Sequence, residues 1–462
     1  MRTFETRPWR HLRAALMCTA MAAGLGLGAT YAQTEATQQA QSVIVPELPM
    51  VEGPIEGPGE MHPSVRGPAT HPFLDEMPPE TMPEHFGYVT QEYFVSGEAG
   101  GAPYKTRIVI RRPADVAEFS GMVMVEVMHP SSSALIWQAA RVGMMKNGHV
   151  AVEIDDQPGR IETLKGFNAE RYADLSVGEG AANKDVIAQV ARLIKEQFPA
   201  GEEWSQAIKA VVLAGTSATS ATALDYMSTH HASHRLEDGS PLFDGFLPAA
   251  TGNEIPVYDI PTIHNPTQIE VFRGSAEGST PAYRREDSDE EGNQFRLYEY
   301  AGMPHLETRE APAFDAATCD ESTVSQFMYN AATFQVLEHL FNWVAYDIVP
   351  PRAEHIEVDN DESGDGSQLA LDEFGNAQGG IRSPQLDVPT ATFIVPNSGE
   401  NRLCELSGYD IAFSSEQLSE LYEGQEDYAT QLQTRAYELM REGWFPVEYW
   451  YEIEDEIARF GD

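Results

Sequence analysis

Apolar and polar positions alternate in blocks along the chain. Tyr88–Ser96 and Tyr104–Arg112 read as two strands of a hairpin, with the turn somewhere in Gly97–Pro103. Gly121–Met128, Val150–Ile154 and Ala210–Ala214 are short, nearly unbroken apolar runs. Such runs suit strands buried on both faces of a mostly parallel sheet. Gln268–Phe272 and Phe295–Tyr300 read as two more strands. Between the runs, Ala134–Lys146 and Asp185–Phe198 carry apolar residues at helical spacing, and a longer helical pattern covers Val324–Tyr346. Strands alternating with helices predict an α/β fold with a parallel central sheet.

The flanks differ in pattern. Residues 33–86 are rich in Pro, Gly, Glu and Gln and read as an arm outside the core. The core spans 87–347. Residues 348–412 lack clear periodicity, Glu416–Glu442 reads as helical, and Trp444–Tyr451 is aromatic-rich, so 348–462 is expected to be an extension integral to the same domain. At the N-terminus, Arg2, Arg7, Arg10 and Arg13 precede a small, apolar stretch from Ala14 to Gly28, and Thr30-Tyr31-Ala32 offers a cleavage site. Residues 1–32 therefore read as a signal peptide, with an exported, periplasmic or extracellular product. No run approaches the length of a membrane span.

Composition narrows the functions. The chain has 462 residues, 30 Lys+Arg against 72 Asp+Glu, and a formal charge of −42. Removing residues 1–32 leaves 26 basic against 71 acidic residues, a charge of −45. So large an excess of carboxylates excludes nucleic acid and an anionic membrane surface as partners, and favours a neutral small-molecule substrate. Cys319 and Cys404 remain after removal of Cys18; in an exported protein they predict a disulfide, the alternative being two buried thiols.

The candidate chemistry starts at Val211-Val212-Leu213-Ala214-Gly215-Thr216-Ser217-Ala218-Thr219. An apolar strand runs into Gly-x-Ser-x-small and then a helix-forming stretch, the layout of a nucleophile elbow. Ser217 would be the nucleophile, and the N–H of Ala218 would face a developing oxyanion. Thr219 stands where a second glycine is usual. Two later residues follow the order Ser, acid, His: Glu277, past the strand Gln268–Phe272, and His305 in Ala301-Gly302-Met303-Pro304-His305. Asp244 is the alternative acid, with Asp287 and Asp289 in a charged loop behind it. The second oxyanion donor is expected after Glu126-Val127-Met128, from an amide such as His129 or Ser131, because Pro130 has no N–H. His230, His231 and His234 lack a recognised ligand spacing and read as surface residues, and Asp359–Asp365 matches a calcium loop only loosely. No phosphate-binding glycine loop occurs, so neither a nucleotide cofactor nor a metal is expected.

The chain resembles the alpha/beta hydrolase domain family of serine-hydrolase-like proteins. The resemblance rests on Val125-Glu126-Val127, Gln157-Pro158-Gly159, Lys165-Gly166, Arg171-Tyr172-Ala173-Asp174-Leu175, the Ala301–His305 segment and Asn342-Trp343-Val344. It continues through Pro350-Pro351, Leu369–Asn376, Gly379–Pro384, Val388-Pro389-Thr390-Ala391 and Leu403-Cys404. It implies an α/β-hydrolase fold with a C-terminal decoration and a triad of Ser217, an acid and His305. Ala218-Thr219 and His129-Pro130 depart from the family's usual residues at the oxyanion site. The function expected is a carboxylic ester hydrolase. The alternatives are a non-catalytic binding protein on the same fold, or a lyase or acyltransferase using the same triad.

Overall fold

A computed structural model describes residues 43–62, 79–131, 133–273, 280–281, 284–310, 316–360 and 367–461. The expected signal peptide lies outside these residues, as does most of the acidic Asp359–Asp365 segment. The described residues belong to one compact unit. Among them, no helix is long and apolar enough to cross a membrane.

Among the described residues, nine strands form the central sheet: β1 (Met50–Glu52), β2 (Tyr88–Ala99), β3 (Ala102–Pro113), β4 (Met122–Val127), β5 (Val150–Ile154), β6 (Ala210–Thr216), β7 (Gly245–Ala249), β8 (Thr262–His264) and β9 (Phe295–Leu297). Their spatial order is β1-β2-β3-β5-β4-β6-β7-β8-β9. β1, β2, β3 and β5 pair antiparallel in turn; β5-β4-β6-β7-β8-β9 are all parallel. The predicted hairpin closes more tightly than expected. Gly100 and Gly101 both take positive φ (60° and 76°), which a two-residue turn between right-twisted strands requires.

The principal helices are α1 (Leu135–Lys146), α2 (Pro158–Phe167), α3 (Ala181–Glu196), α4 (Glu202–Ala207), α5 (Ala218–Thr229), α6 (Tyr329–Tyr346), α7 (Gln425–Glu442) and α8 (Trp450–Ala458). The pleat of the central strands divides two cores. Met122, Met124, Ala210, Val212 and Ala214 face one core with α1 and α6; Val123, Val125, Val127, Val211 and Leu213 face the other with α3 and α5. The C-terminal extension is part of the first core. Leu432, Ala436 and Leu439 of α7, with Tyr449 and Ile453, are buried there, and the Tyr449 hydroxyl donates to Ala139 O of α1 at 2.9 Å. The long helical pattern 416–442 is broken before α7 at Gly424.

The N-terminal arm contributes β1 as an edge strand and is fastened by buried polar groups. Arg171 donates to Glu92 at 2.7 Å and to the carbonyls of Ile55 and Gly59, and His62 N–H donates to the Tyr172 hydroxyl. The Arg171-Tyr172 pair therefore acts as an anchor for residues 55–62. Cys319 and Cys404 are joined as a disulfide, with Cα atoms 5.5 Å apart.

Candidate active site

The strand order reverses direction between β4 and β6, and open α/β sheets build their sites at the carboxyl ends of strands flanking such a point. Ser217 follows β6 there, with φ 55° and ψ −122°, a conformation rare for a side-chain-bearing residue. The surroundings hold it in place. Ser217 N–H donates to Ala249 O at the end of β7. A Cβ on Gly215 would lie 2.6 Å from Thr219 O, so the approach of strand to helix requires glycine. Thr219 fits the elbow because its hydroxyl bridges the turn: it accepts from Thr216 N–H at 2.9 Å and donates to Thr216 O at 2.8 Å.

His305 Nε2 lies 2.8 Å from Ser217 Oγ, and Nδ1 lies 2.6 Å from Glu270 Oε1. The other oxygen of Glu270 accepts from the Thr267 N–H at 2.8 Å and the Thr267 hydroxyl at 2.6 Å. Burial works to raise the Glu270 carboxyl, but the hydrogen bond and charge of His305, with the Thr267 bonds, hold it below its ordinary value. An ionised Glu270 only accepts, so the Nδ1 proton of His305 faces it and Nε2 faces the serine.

The expected acid, Glu277, lies outside the described residues; the carboxylate brought to His305 is Glu270. The expected strand Gln268–Phe272 is instead a 3₁₀ turn over Gln268–Val271 after β8. This carboxylate therefore sits inside the segment read as strand. The available signal was Thr267-Gln268-Ile269-Glu270, the Thr-x-x-Glu pattern of a capping box. Gln268 ties this turn to the histidine loop, its Oε1 accepting from Gly302 N–H at 2.6 Å and its N–H donating to Met303 O. Asp244 is elsewhere, ion-paired to Lys195 at 2.8 Å and accepting from Val211 N–H. Asp287 accepts from Leu297 N–H, and Asp289 pairs with Arg296 and Arg352.

The oxyanion side also departs from expectation. Ala218 begins α5, where helix N–H groups lack intrahelical acceptors. The two amides named as alternatives for the second donor are engaged within the β4 loop: His129 N–H donates to Ser133 O at 2.9 Å, and Ser131 N–H donates to His129 Nδ1 at 3.1 Å. A backbone N–H only donates, so Nδ1 is unprotonated and the ring proton of His129 sits on Nε2. Glu126 fixes the far end of this loop by accepting from the N–H groups of Ile136 and Trp137 at the start of α1; burial pushes its carboxyl up to about 8.

Ser217 and His305 open on a cavity of about 140 Å³, walled by Leu135, Ala139, Leu306, Tyr329, Leu403 and Leu406, with His129, Ser131, Gln138 and Glu307. Burial pushes Glu307 up to about 7. Leu403 and Leu406 belong to the short helix Arg402–Leu406, which the disulfide tethers. The C-terminal extension thus supplies one cavity wall.

His230, His231 and His234 are buried rather than on the surface. The turn after α5 folds back beneath the N-terminal arm, with Ile44 N–H donating to Ser233 O and Arg235 N–H to Ile44 O. His231 Nε2 lies 2.5 Å from Asp259. His230 and His234 face Asp185 of α3.

Solved structures similar to the chain include esterase Est22 (14% identity, 40% of this chain and 50% of that one, TM-score 0.27). A thermostable esterase from Pseudomonas putida ECU1011 is 18% identical over 37% of this chain and 45% of that one, with a TM-score of 0.24. A dienelactone hydrolase from Anabaena variabilis ATCC 29413 is 16% identical over 39% of this chain and 74% of that one, with a TM-score of 0.25. The chain spans about half the length of the first two. No curated protein matches it in sequence. The model of the alpha/beta hydrolase domain family matches residues 51–450, which include the elbow, the Glu270 turn, the His305 loop and the cavity wall at Leu403–Leu406; the chain belongs to that family.

Proposed function

We propose that the chain is an exported serine hydrolase that cleaves neutral carboxylic esters through an acyl-enzyme on Ser217. The observation that carries this reading is the continuous hydrogen-bonded series Glu270–His305–Ser217 at the mouth of an apolar cavity. His305 Nε2 takes the Ser217 proton as Oγ attacks the ester carbonyl, and Glu270 stabilises the imidazolium that forms. The tetrahedral oxyanion is met by the Ala218 N–H at the positive end of α5. As the C–O bond breaks, His305 returns the proton to the leaving alcohol. Water, deprotonated by the same imidazole, then attacks the acyl-enzyme, and the imidazolium returns that proton to Ser217 Oγ as the acid is released.

The substrate class follows from the walls and the charge. Among the described residues that wall the cavity none is a fixed cation to pair with an anionic acyl group, and a net charge of −42 slows the approach of an anion. Export is supported by the N-terminal pattern and by a disulfide that persists in oxidising compartments.

A fluorophosphonate probe should label the wild type stoichiometrically and leave Ser217→Ala unlabelled. Short-chain aryl esters should be hydrolysed with the same dependence on Ser217. Glu270→Gln should lower kcat by roughly 10²–10⁴-fold with a folded-state melting curve, because the neutral amide no longer stabilises the imidazolium. Absence of labelling in a folded wild type would overturn the proposal.

A further inference from the structure

We propose that Asp185, His230 and His234 form a binding site for a late first-row divalent metal, zinc above all, that ties the N-terminal arm to the body. The ligand atoms come from α3 and from the turn that ends α5, and all lie within 4.8 Å of one another. Asp185 Oδ1 is 3.2 Å from His230 Nε2 and 3.7 Å from His234 Nε2.

The hydrogen bonds around the two rings fix where their protons are. Thr229 Oγ1 donates to the carbonyl of Asp225, which only accepts, so its contact with His230 Nδ1 at 2.8 Å must be an N–H donated by the ring. Ser233 Oγ likewise donates to His230 O, and His234 Nδ1 lies 3.0 Å from Ser233 Oγ and 3.2 Å from His230 O. His234 therefore also carries its proton on Nδ1. In the neutral rings both Nε2 atoms are then lone pairs aimed at a carboxylate oxygen, so three acceptors face one another. A cation at the centre removes that conflict.

Two extra protons are a poor solution. The imidazoles are stacked with centroids 4.5 Å apart, both are buried, and two positive rings at that spacing repel. One metal ion satisfies all three acceptors. Neutral imidazoles whose Nδ1–H groups are held by hydroxyl and carbonyl oxygens are the usual orienting shell of a metal-bound histidine. The second Asp185 oxygen is held in the same way, accepting from Gly100 N–H at 2.7 Å. The nearby charge of Lys184 is taken up by Asp225. Metal–ligand distances of about 2.0–2.2 Å need donor separations of roughly 3.3 Å, which the Asp185–His230 pair already has and a small side-chain rotation brings to His234. Two nitrogens and one oxygen favour zinc, nickel or copper over calcium or magnesium.

The position points to a structural role. Ser217 stands at the opposite end of the twelve-residue α5, about 18 Å along the helix axis. The turn holding His230 and His234 is the one on which Ile44 of the arm pairs, and Asp185 holds the β2–β3 turn. A bound metal would fasten these segments together without touching the hydrolytic site.

The test uses chelator-treated, desalted full-length protein titrated with Zn²⁺. Wild type should bind one equivalent and melt several degrees higher, while Ca²⁺ and Mg²⁺ change nothing. Asp185→Asn and His234→Gln should lose both the binding and the shift, with Ser217-dependent ester turnover at 25 °C unchanged within twofold. Because a variant in a buried site can fold poorly, Cu²⁺ electron paramagnetic resonance on the wild type provides an independent readout, with hyperfine coupling from two nitrogens expected. No zinc-dependent shift, equal binding by both variants, or a stabilisation produced by acid alone would overturn the proposal. The metal-binding and melting results do not depend on whether the protein hydrolyses esters.

Discussion

Replacing Gly215 by alanine places the new methyl 2.6 Å from Thr219 O, 2.8 Å from Thr219 C and 3.0 Å from Ser220 N. All three are backbone atoms in the first turn of α5, so no side chain can swing aside. Reaching an ordinary contact of 3.4 Å requires the strand end and the helix start to separate by about 0.8 Å. Ser217 lies between them, and its Oγ is 2.8 Å from His305 Nε2. A displacement of that size lengthens the hydrogen bond beyond useful range. Two effects follow. Overpacking of this kind costs about 1–3 kcal/mol, and the per-residue entropy of unfolding converts this to a fall of roughly 1–4 °C in melting temperature for a chain of this size. Misplacement of the nucleophile by nearly 1 Å costs on the order of 10²-fold in rate. The assay is kcat on a short-chain aryl ester beside a thermal melt. The expected signature is a large loss of kcat, a modest loss of stability and little change in KM. A Gly215→Ala variant that melts with the wild type and keeps kcat within twofold would refute the account of the elbow.

Acid should destabilise the fold through two buried histidines: burial pushes His264 and His339 down to about 4 from 6.5, so the native state binds fewer protons than the unfolded chain. Their contribution is complete above pH 6.5 and is lost as the pH falls towards 4, by ~3 kcal/mol for each; urea melts across this range should show the loss, and His264→Gln should flatten it by about one proton's worth. Cys404→Ser opens a loop closed across a sequence separation of 85, worth up to about 4–5 kcal/mol in the chain-entropy model, and frees the helix carrying Leu403 and Leu406. Its KM for aryl esters should rise several-fold while kcat stays within about threefold, and an unchanged KM would remove the extension from the substrate wall.

Some of this was legible in the sequence, for physical reasons. β4, β5 and β6 are buried on both faces and print as apolar runs. The elbow needs glycine before the serine and a helix after it, so Ser217 stood out. His305 follows a strand end in the required order. β7 and β8 did not stand out because they are short and contain Pro248, Thr262 and His264. Glu270 did not stand out because Gln268–Val271 is apolar enough to pass for a strand, while the Thr267–Glu270 bond makes it a turn. His230 and His234 read as surface residues because their carboxylate partner, Asp185, lies 45 and 49 residues upstream on another helix. Only the packing of α3 against the end of α5 brings it near.

Thr219 stands where a second glycine is usual, and the reason the elbow accepts it extends to the whole site. Its hydroxyl takes both backbone groups of Thr216, so the turn gains two hydrogen bonds in place of the freedom a glycine would give. The same device recurs at each strand end. Thr267 fixes Glu270, Gln268 fixes the loop before His305, and Glu126 fixes the segment between β4 and α1. Thr267 holds the Glu270 carboxylate through its N–H and hydroxyl, Gln268 and Glu126 are side chains bonded to backbone, and none of the three lines the cavity. Loops are ordinarily the mobile part of an α/β fold. Here side-chain anchors supply the rigidity that catalysis by preorganised groups demands. These anchors hold the reacting groups rather than the substrate, so their removal should fall on kcat and leave KM to the leucine walls.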